Sequence, residues 1–208
     1  MKITEILVRR GRIFEVRFDD GTYINLDRVY AEPLFLSVGM EVSEETAEKW
    51  EEESDLIRCR NRAVYYLSNG ALSEKKLKEK LIKAGFEERF VIAAVERLKE
   101  LSYVDDREFA IRFFEKCRAS GLSARQSAEK MVNAGISRSL AKEVCVYSQE
   151  DERENIRRII NKSYKNKITD KEGIQKTTAA LVRRGFAFSD VRAVLNQLSD
   201  SAYINEEQ

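Results

Sequence analysis

The sequence predicts a mainly α-helical protein, three tandem three-helix repeats forming an elongated array, preceded by a small β module. Three observations carry this reading. First, Lys83-Ala84-Gly85-Phe86, Asn133-Ala134-Gly135-Ile136 and Arg183-Arg184-Gly185-Phe186 share one helix-ending pattern, with glycines 135−85 = 50 and 185−135 = 50 residues apart. Second, from about residue 56 to the end the apolar side chains recur at helical spacing and proline is absent. Third, Arg12–Phe18 and Tyr23–Leu26 alternate polar and apolar side chains around Asp19-Asp20-Gly21, which reads as a hairpin.

The elements follow in order. Ile3 to Val8 supplies a third strand, because a lone hairpin is marginal in water and needs its apolar face covered. The single proline, Pro33, precedes a short apolar segment, and Ser43-Glu44-Glu45 opens a helix whose early carboxylates suit its positive N-terminal end. In the first repeat Ala63, Val64 and Leu67 form one stripe and Leu72, Leu77 and Leu81 a second. Phe90, Val91, Ala94, Val95, Leu98 and Leu101 form the third, so three helices share one core. Gly85 falls just past the second helix, where a left-handed backbone costs glycine little, and Phe86 folds back as the hydrophobic contact of a helix-ending motif.

Shifting the frame by 50 superimposes the apolar positions: Val64 on Phe114 and Tyr164, Leu81 on Met131 and Leu181, Phe86 on Ile136 and Phe186, Ala94 on Val144 and Val194. Ser73 takes the cap position of the second helix in the first repeat, Ser123-Ala124-Arg125-Gln126 offers a capping box in the second, and Asp170 caps in the third. The expected segments are 1–56 for the β module with an acidic helix, 57–105 and 106–152 for the first two repeats, and 153–208 for a basic third repeat and tail. Units of this size stack on their neighbours and build a long body rather than one round core.

Composition narrows the function. The 208 residues, 43% hydrophobic and 35% charged, suffice for a real core, and no apolar run approaches a membrane span. A cytoplasmic chain without a membrane partner is expected, as is a monomer. Histidine is absent, which removes the usual general base, the usual zinc ligand and every Ser-His or Cys-His arrangement. No Gly-rich phosphate loop occurs, so neither catalysis nor a cofactor is expected. Cys59, Cys117 and Cys145 sit apart in apolar helical patterns and read as buried thiols, not as a metal site or disulfide framework.

The net charge of +1 conceals an asymmetry. Residues 1–56 carry 7 Lys/Arg against 14 Asp/Glu, a net of −7, and residues 57–208 carry 30 against 22, a net of +8. The basic excess concentrates in 153–192, where Arg157, Arg158, Lys162, Lys165, Lys167, Lys176, Arg183 and Arg184 are candidate contacts to a polyanion or an acidic protein face. A solvated helical surface is the plainer reading of the same charges.

Between the first two repeats stands Leu101-Ser102-Tyr103-Val104-Asp105-Asp106-Arg107-Glu108-Phe109-Ala110. Asp105 or Asp106 can cap the helix that begins near Arg107, while Tyr103, Phe109 and Phe113 supply apolar surface on either side of the turn. The stretch resembles the YLDDxxFA signature of the RecX family, regulators of the bacterial recombinase RecA. Leu77 to Phe86 is similar to that family's L-x-x-K-L-x-x-[KR]-G-[FY] helix ending, with Gly85 and Phe86 at its close. The resemblance covers roughly residues 60–200, with Val104 in place of the commoner leucine and Asn133 where a basic residue is frequent. The β module resembles extensions carried by some members.

The resemblance implies a non-catalytic regulator that docks along the groove of the RecA–DNA filament and restrains recombinase, ATPase and coprotease activity. Independently of the family, Gly85, Phe86, Tyr103, Asp105, Asp106, Arg107, Phe109 and Ala110 read as structural, with direct partner contact as the alternative, and the basic residues of the third repeat are the candidates to face the filament's acidic surface or DNA phosphates. A helical-repeat protein that binds single- or double-stranded DNA directly is the alternative. Against it stand the lack of an aromatic ladder for stacking bases and of a recognition helix rich in both Arg and Asn/Gln.

Overall fold

The computed structural model describes the backbone of residues 1–9 and 11–205 and the side chains of residues 1–9 and 11–198. The chain divides into two units, Met1–Asp105 and Asp106–Gln208.

The first unit begins with an antiparallel meander of β1 (Ile3–Arg9), β2 (Ile13–Phe18) and β3 (Tyr23–Asp27), in that order. Alternation sends Val16, Phe18, Ile24 and Leu26 to one face, where they are buried with Ile3, Ala31, Val42 and Ala47. On the β1–β2 ladder Arg17 pairs with Glu5 at 3.1 Å and Arg9 with Glu15 at 2.9 Å. Such exposed pairs favour the register more than they stabilise the fold. Helix α1 (Arg28–Ala31) follows, capped by Asp27, whose carboxylate accepts from the Val29 amide at 3.0 Å.

Helix α2 runs 25 residues, Glu44–Ser68, opened by Ser43 and with Glu44 and Glu45 in its first turn. At 1.5 Å per residue it is about 37 Å long and outlasts a single core. Its first half covers the sheet through Ala47 and Trp50, and its second half enters a helical core through Cys59 and Ala63. Between them Ser54 is fully buried, its hydroxyl accepting from the Asp27 amide at 2.7 Å and donating to the Asn25 carbonyl at 3.4 Å. The helix passes unbroken through residues 56 and 57, where the charge of the sequence changes sign.

Helices α3 (Glu74–Lys83) and α4 (Glu88–Glu100) complete the first three-helix core with Leu77, Leu81, Phe90, Val91, Ala94, Val95 and Leu98. Two residues expected in this core are outside it: Val64 is 46% and Leu101 49% exposed. Ala63 already takes the inward position, and Val64 lies about 100° further round α2. Leu101 sits past the last turn of α4, at its C-cap.

The second unit holds α5 (Asp106–Ala119), α6 (Ala124–Asn133) and α7 (Arg138–Val144), then α8 (Gln149–Ser163), α9 (Lys171–Arg183) and α10 (Phe188–Asn205). One core gathers Ala110, Met131, Ile136, Ala141 and Cys145; the other gathers Ile156, Ile160, Leu181, Phe186, Val191, Val194 and Leu195. All three cysteines are free and buried. Burial pushes the Cys59 and Cys145 thiols up to about 11, which leaves them protonated and unreactive.

The repeated glycines do the same work three times. Gly85, Gly135 and Gly185 have φ of 93°, 99° and 86°. The next amide reaches back to the last turn in each: Phe86 to the Leu81 carbonyl at 3.3 Å, Ile136 to Met131 at 3.2 Å, Phe186 to Leu181 at 3.3 Å. These are Schellman closures. Helix α4 ends the same way on Ser102, at φ 58°, with the Tyr103 amide 2.8 Å from the Leu98 carbonyl.

Caps fall at Ser73, Ser123 and Asp170 as the sequence indicates, with one correction. Ser123 accepts from the Gln126 amide at 3.2 Å, but the reciprocal half of the capping box is not made. The first free amide of α6, that of Ala124, is met instead by Glu152 from α8 at 2.9 Å. A complete box occurs at the start of α8, where Ser148 and Asp151 satisfy each other's amides. The middle repeat also departs in length, since α7 has 7 residues against 13 in α4 and 18 in α10. Val144 is accordingly half-buried, whereas Ala94 and Val194 are fully buried. Among the described residues no helix is long and apolar enough to cross a membrane.

Candidate partner-binding surface

The eight basic candidates lie on α8, on α9 and its C-cap Arg184, and on the 3-10 turn Lys165–Lys167 between the helices, and the structure sorts them into two groups. Arg157 and Arg158 are fastened to the protein itself. Arg157 pairs with Glu150 at 2.9 Å and Glu154 at 3.0 Å and donates to Gln197 of α10 at 3.0 Å. Arg158 reaches α5, donating to the Arg118 carbonyl at 2.9 Å and to Asn155 at 2.8 Å.

The others point outward. Lys162, Lys165, Lys167, Lys176, Arg183 and Arg184 are exposed. Lys162 and Arg183 occupy the last turns of α8 and α9, where the helix dipole favours cations. Lys176 pairs with Glu172 one turn earlier at 2.5 Å, a contact 75% exposed and therefore weak. Half-buried Tyr164 brings two together, with the Lys167 ammonium 5.4 Å and the Arg184 guanidinium 5.9 Å from its ring centre.

What holds this surface in place is a polar joint that the sequence pattern did not single out. Ser123 at the start of α6 donates to the Arg184 carbonyl at 2.7 Å. Asp190 of α10 accepts from Arg153 and from Gln149, both at 3.0 Å. Arg118 pairs with Asp151 at 2.5 Å, and the Tyr147 ring lies 4.9 Å from that of Phe114. Glu152, beneath the start of α6, has its carboxyl pushed above the usual range by burial; the Ala124 amide opposes this, and Asp190 and Asp151 add to it. One faint sequence signal for the joint exists: acids at 150–152 precede an Arg-rich turn at 153–158, a pattern equally consistent with an isolated, solvated helix.

The signature residues stand at the boundary of the two units. Asp105 immediately precedes α5 and Asp106 opens it. Arg107 pairs with Glu143 of α7 at 2.7 Å, Phe109 packs on Phe113 with ring centres 5.8 Å apart, and Ala110 is fully buried. Tyr103 is 63% exposed. Among the described residues no cluster of His, Cys, Asp or Glu could hold a metal ion.

Fold and surface together define a tandem three-helix-repeat protein with an N-terminal sheet and a row of cationic helix ends. The family descriptions "RecX, first three-helix domain" and "RecX, third three-helix domain" match residues 59–98 and 150–195. The regulatory protein RecX of Caldanaerobacter subterraneus subsp. tengcongensis is 30% identical, covering 94% of this chain and 99% of its own. That of Clostridioides difficile is 29% identical over 86% of each. A crystal structure of regulatory protein RecX superposes with a TM-score of 0.70 at 19% identity, over 94% of this chain and 98% of that one. RecX from Lactobacillus salivarius gives 0.65 at 17% identity, over 70% and 97%. The chain belongs to the RecX family.

Proposed function

We propose that this chain is a regulator that binds the RecA–DNA filament along its groove and restrains the recombinase, its ATPase and its coprotease activity. The observation that carries the reading is the match, over 94% of the chain, to a protein named as a regulator of the RecX kind. The six outward cations support it, since lysines and arginines on helix ends suit phosphates or an acidic protein face. Tandem repeats support it too: contacts spread over several protomers raise avidity without any single strong site. The protein acts without catalysis, in the cytoplasm, as a single chain.

The test is DNA-dependent ATP hydrolysis by the cognate recombinase with this protein titrated in. Suppression well below one copy per recombinase protomer is expected. A protein that acted only by occupying DNA would instead be matched by any comparably tight DNA binder, with affinity falling at about −0.7 per neutralised single-strand phosphate in log[salt].

A further inference from the structure

The short α7 leaves a groove in the middle repeat. The helix stops at Val144, and the backbone turns away at Cys145 (ψ 60°) toward the cap of α8. One side of α6, with Ala124, Ala128 and Val132, therefore faces Ala141 and Cys145 of the α7 end across an open groove of about 710 Å³. Its floor is apolar and made of small side chains. Small side chains let another helix approach to the lower end of the usual range, about 8 Å between axes.

The rim gives the groove a sign. Arg125, Glu129, Arg138 and Lys142 line it, and Arg125 is paired with Glu129 at 3.2 Å. Arg138 and Lys142 remain, both exposed and one turn apart on α7, so a single edge of the groove carries two positive charges. We infer that this groove receives an acidic amphipathic helix of a partner protein. The partner's apolar stripe would lie on the alanine floor, and carboxylates spaced i, i+4 along one edge would meet Arg138 and Lys142. Nothing in the inference uses the filament or the cations of α8 and α9.

The experiment uses the full chain, with neither recombinase nor DNA, and a fluorescent synthetic helix of about five turns. The peptide carries leucines on one stripe and glutamates along one edge. Fluorescence anisotropy should show saturable binding, weakened about tenfold or more by the surface pair R138E and K142E, and likewise by A128W, which fills the groove. A peptide with lysines for the glutamates should bind correspondingly worse. The inference is overturned if no saturable binding occurs, if the lysine peptide binds as well, or if R138E with K142E changes nothing while circular dichroism shows the variant folded. It is equally overturned if sedimentation without peptide reveals self-association that A128W abolishes, for then a second copy fills the groove.

Discussion

The Ser123 hydroxyl donates to the Arg184 carbonyl at 2.7 Å while its oxygen accepts from the Gln126 amide at 3.2 Å, so one small side chain starts α6 and clasps the end of α9. Gly185, next in the chain, has no room to change: a Cβ there would lie 2.7 Å from the Ser123 Oγ and 3.3 Å from the Arg125 Cβ. Gly85 occupies the same place in the first repeat, with nothing within 4 Å of its Cβ position.

Alanine should therefore distinguish two equivalent glycines. At Gly85 the cost is the left-handed backbone alone, about 1–2 kcal/mol. Gly185→Ala should cost clearly more, and part of the excess should return in a Ser123→Ala background. Urea unfolding of the two single variants and the double variant measures this coupling.

Ser102 offers the opposite case. It holds a left-handed φ of 58° at the C-terminus of α4 with a side chain that makes this conformation costly. Ser102→Gly should stabilise the first unit by about 1 kcal/mol, read as a rise in the urea midpoint at unchanged slope.

The basic residues should separate by role. Arg158→Ala removes two hydrogen bonds to α5 and α8 and, the side chain being exposed, should cost about 1 kcal/mol. Lys162→Glu, Lys165→Glu and Arg183→Glu should each cost less than about 1 kcal/mol, since all three are exposed. The triple variant should nonetheless lose recombinase inhibition while keeping its circular dichroism. Full inhibition by a folded triple variant would take the cationic surface out of the mechanism.

Glu152 gives the joint a pH dependence. Its carboxyl is raised above the ordinary 4.5, so the folded state favours the neutral form. The stability this contributes is present below the ordinary value and is lost as pH rises through the raised one. Glu152→Gln keeps an acceptor for Ala124 and carries no charge. Its stability relative to the parent should grow as pH rises above the ordinary 4.5 and level off once the raised carboxyl has ionised, followed by urea unfolding at each pH.

The periodic part of the fold was legible because it depends on short-range chemistry. Glycine spacing, serine and aspartate caps and the alternating strands each act within a few residues, and each appears where the sequence puts it. What escaped were contacts set by distance in space. Ser123 looked like half of a local box, yet its hydroxyl proton goes to a residue 61 positions away. Arg157 and Arg158 were indistinguishable in sequence from Lys162 and Lys165, and only the carboxylates, amides and carbonyls around them show which cations are already engaged. The groove beside α7 was illegible for a related reason: a helix that stops early leaves no mark in a repeat counted by its glycines.

The shared helix α2 carries a mechanical implication. Because one rod is bolted into the sheet by Ala47 and Trp50 and into the helical core by Cys59 and Ala63, the first unit has no slack joint between its two hydrophobic cores. A pull or twist on the sheet is passed along the rod's axis toward Leu77 and Leu81. The two parts respond as one lever.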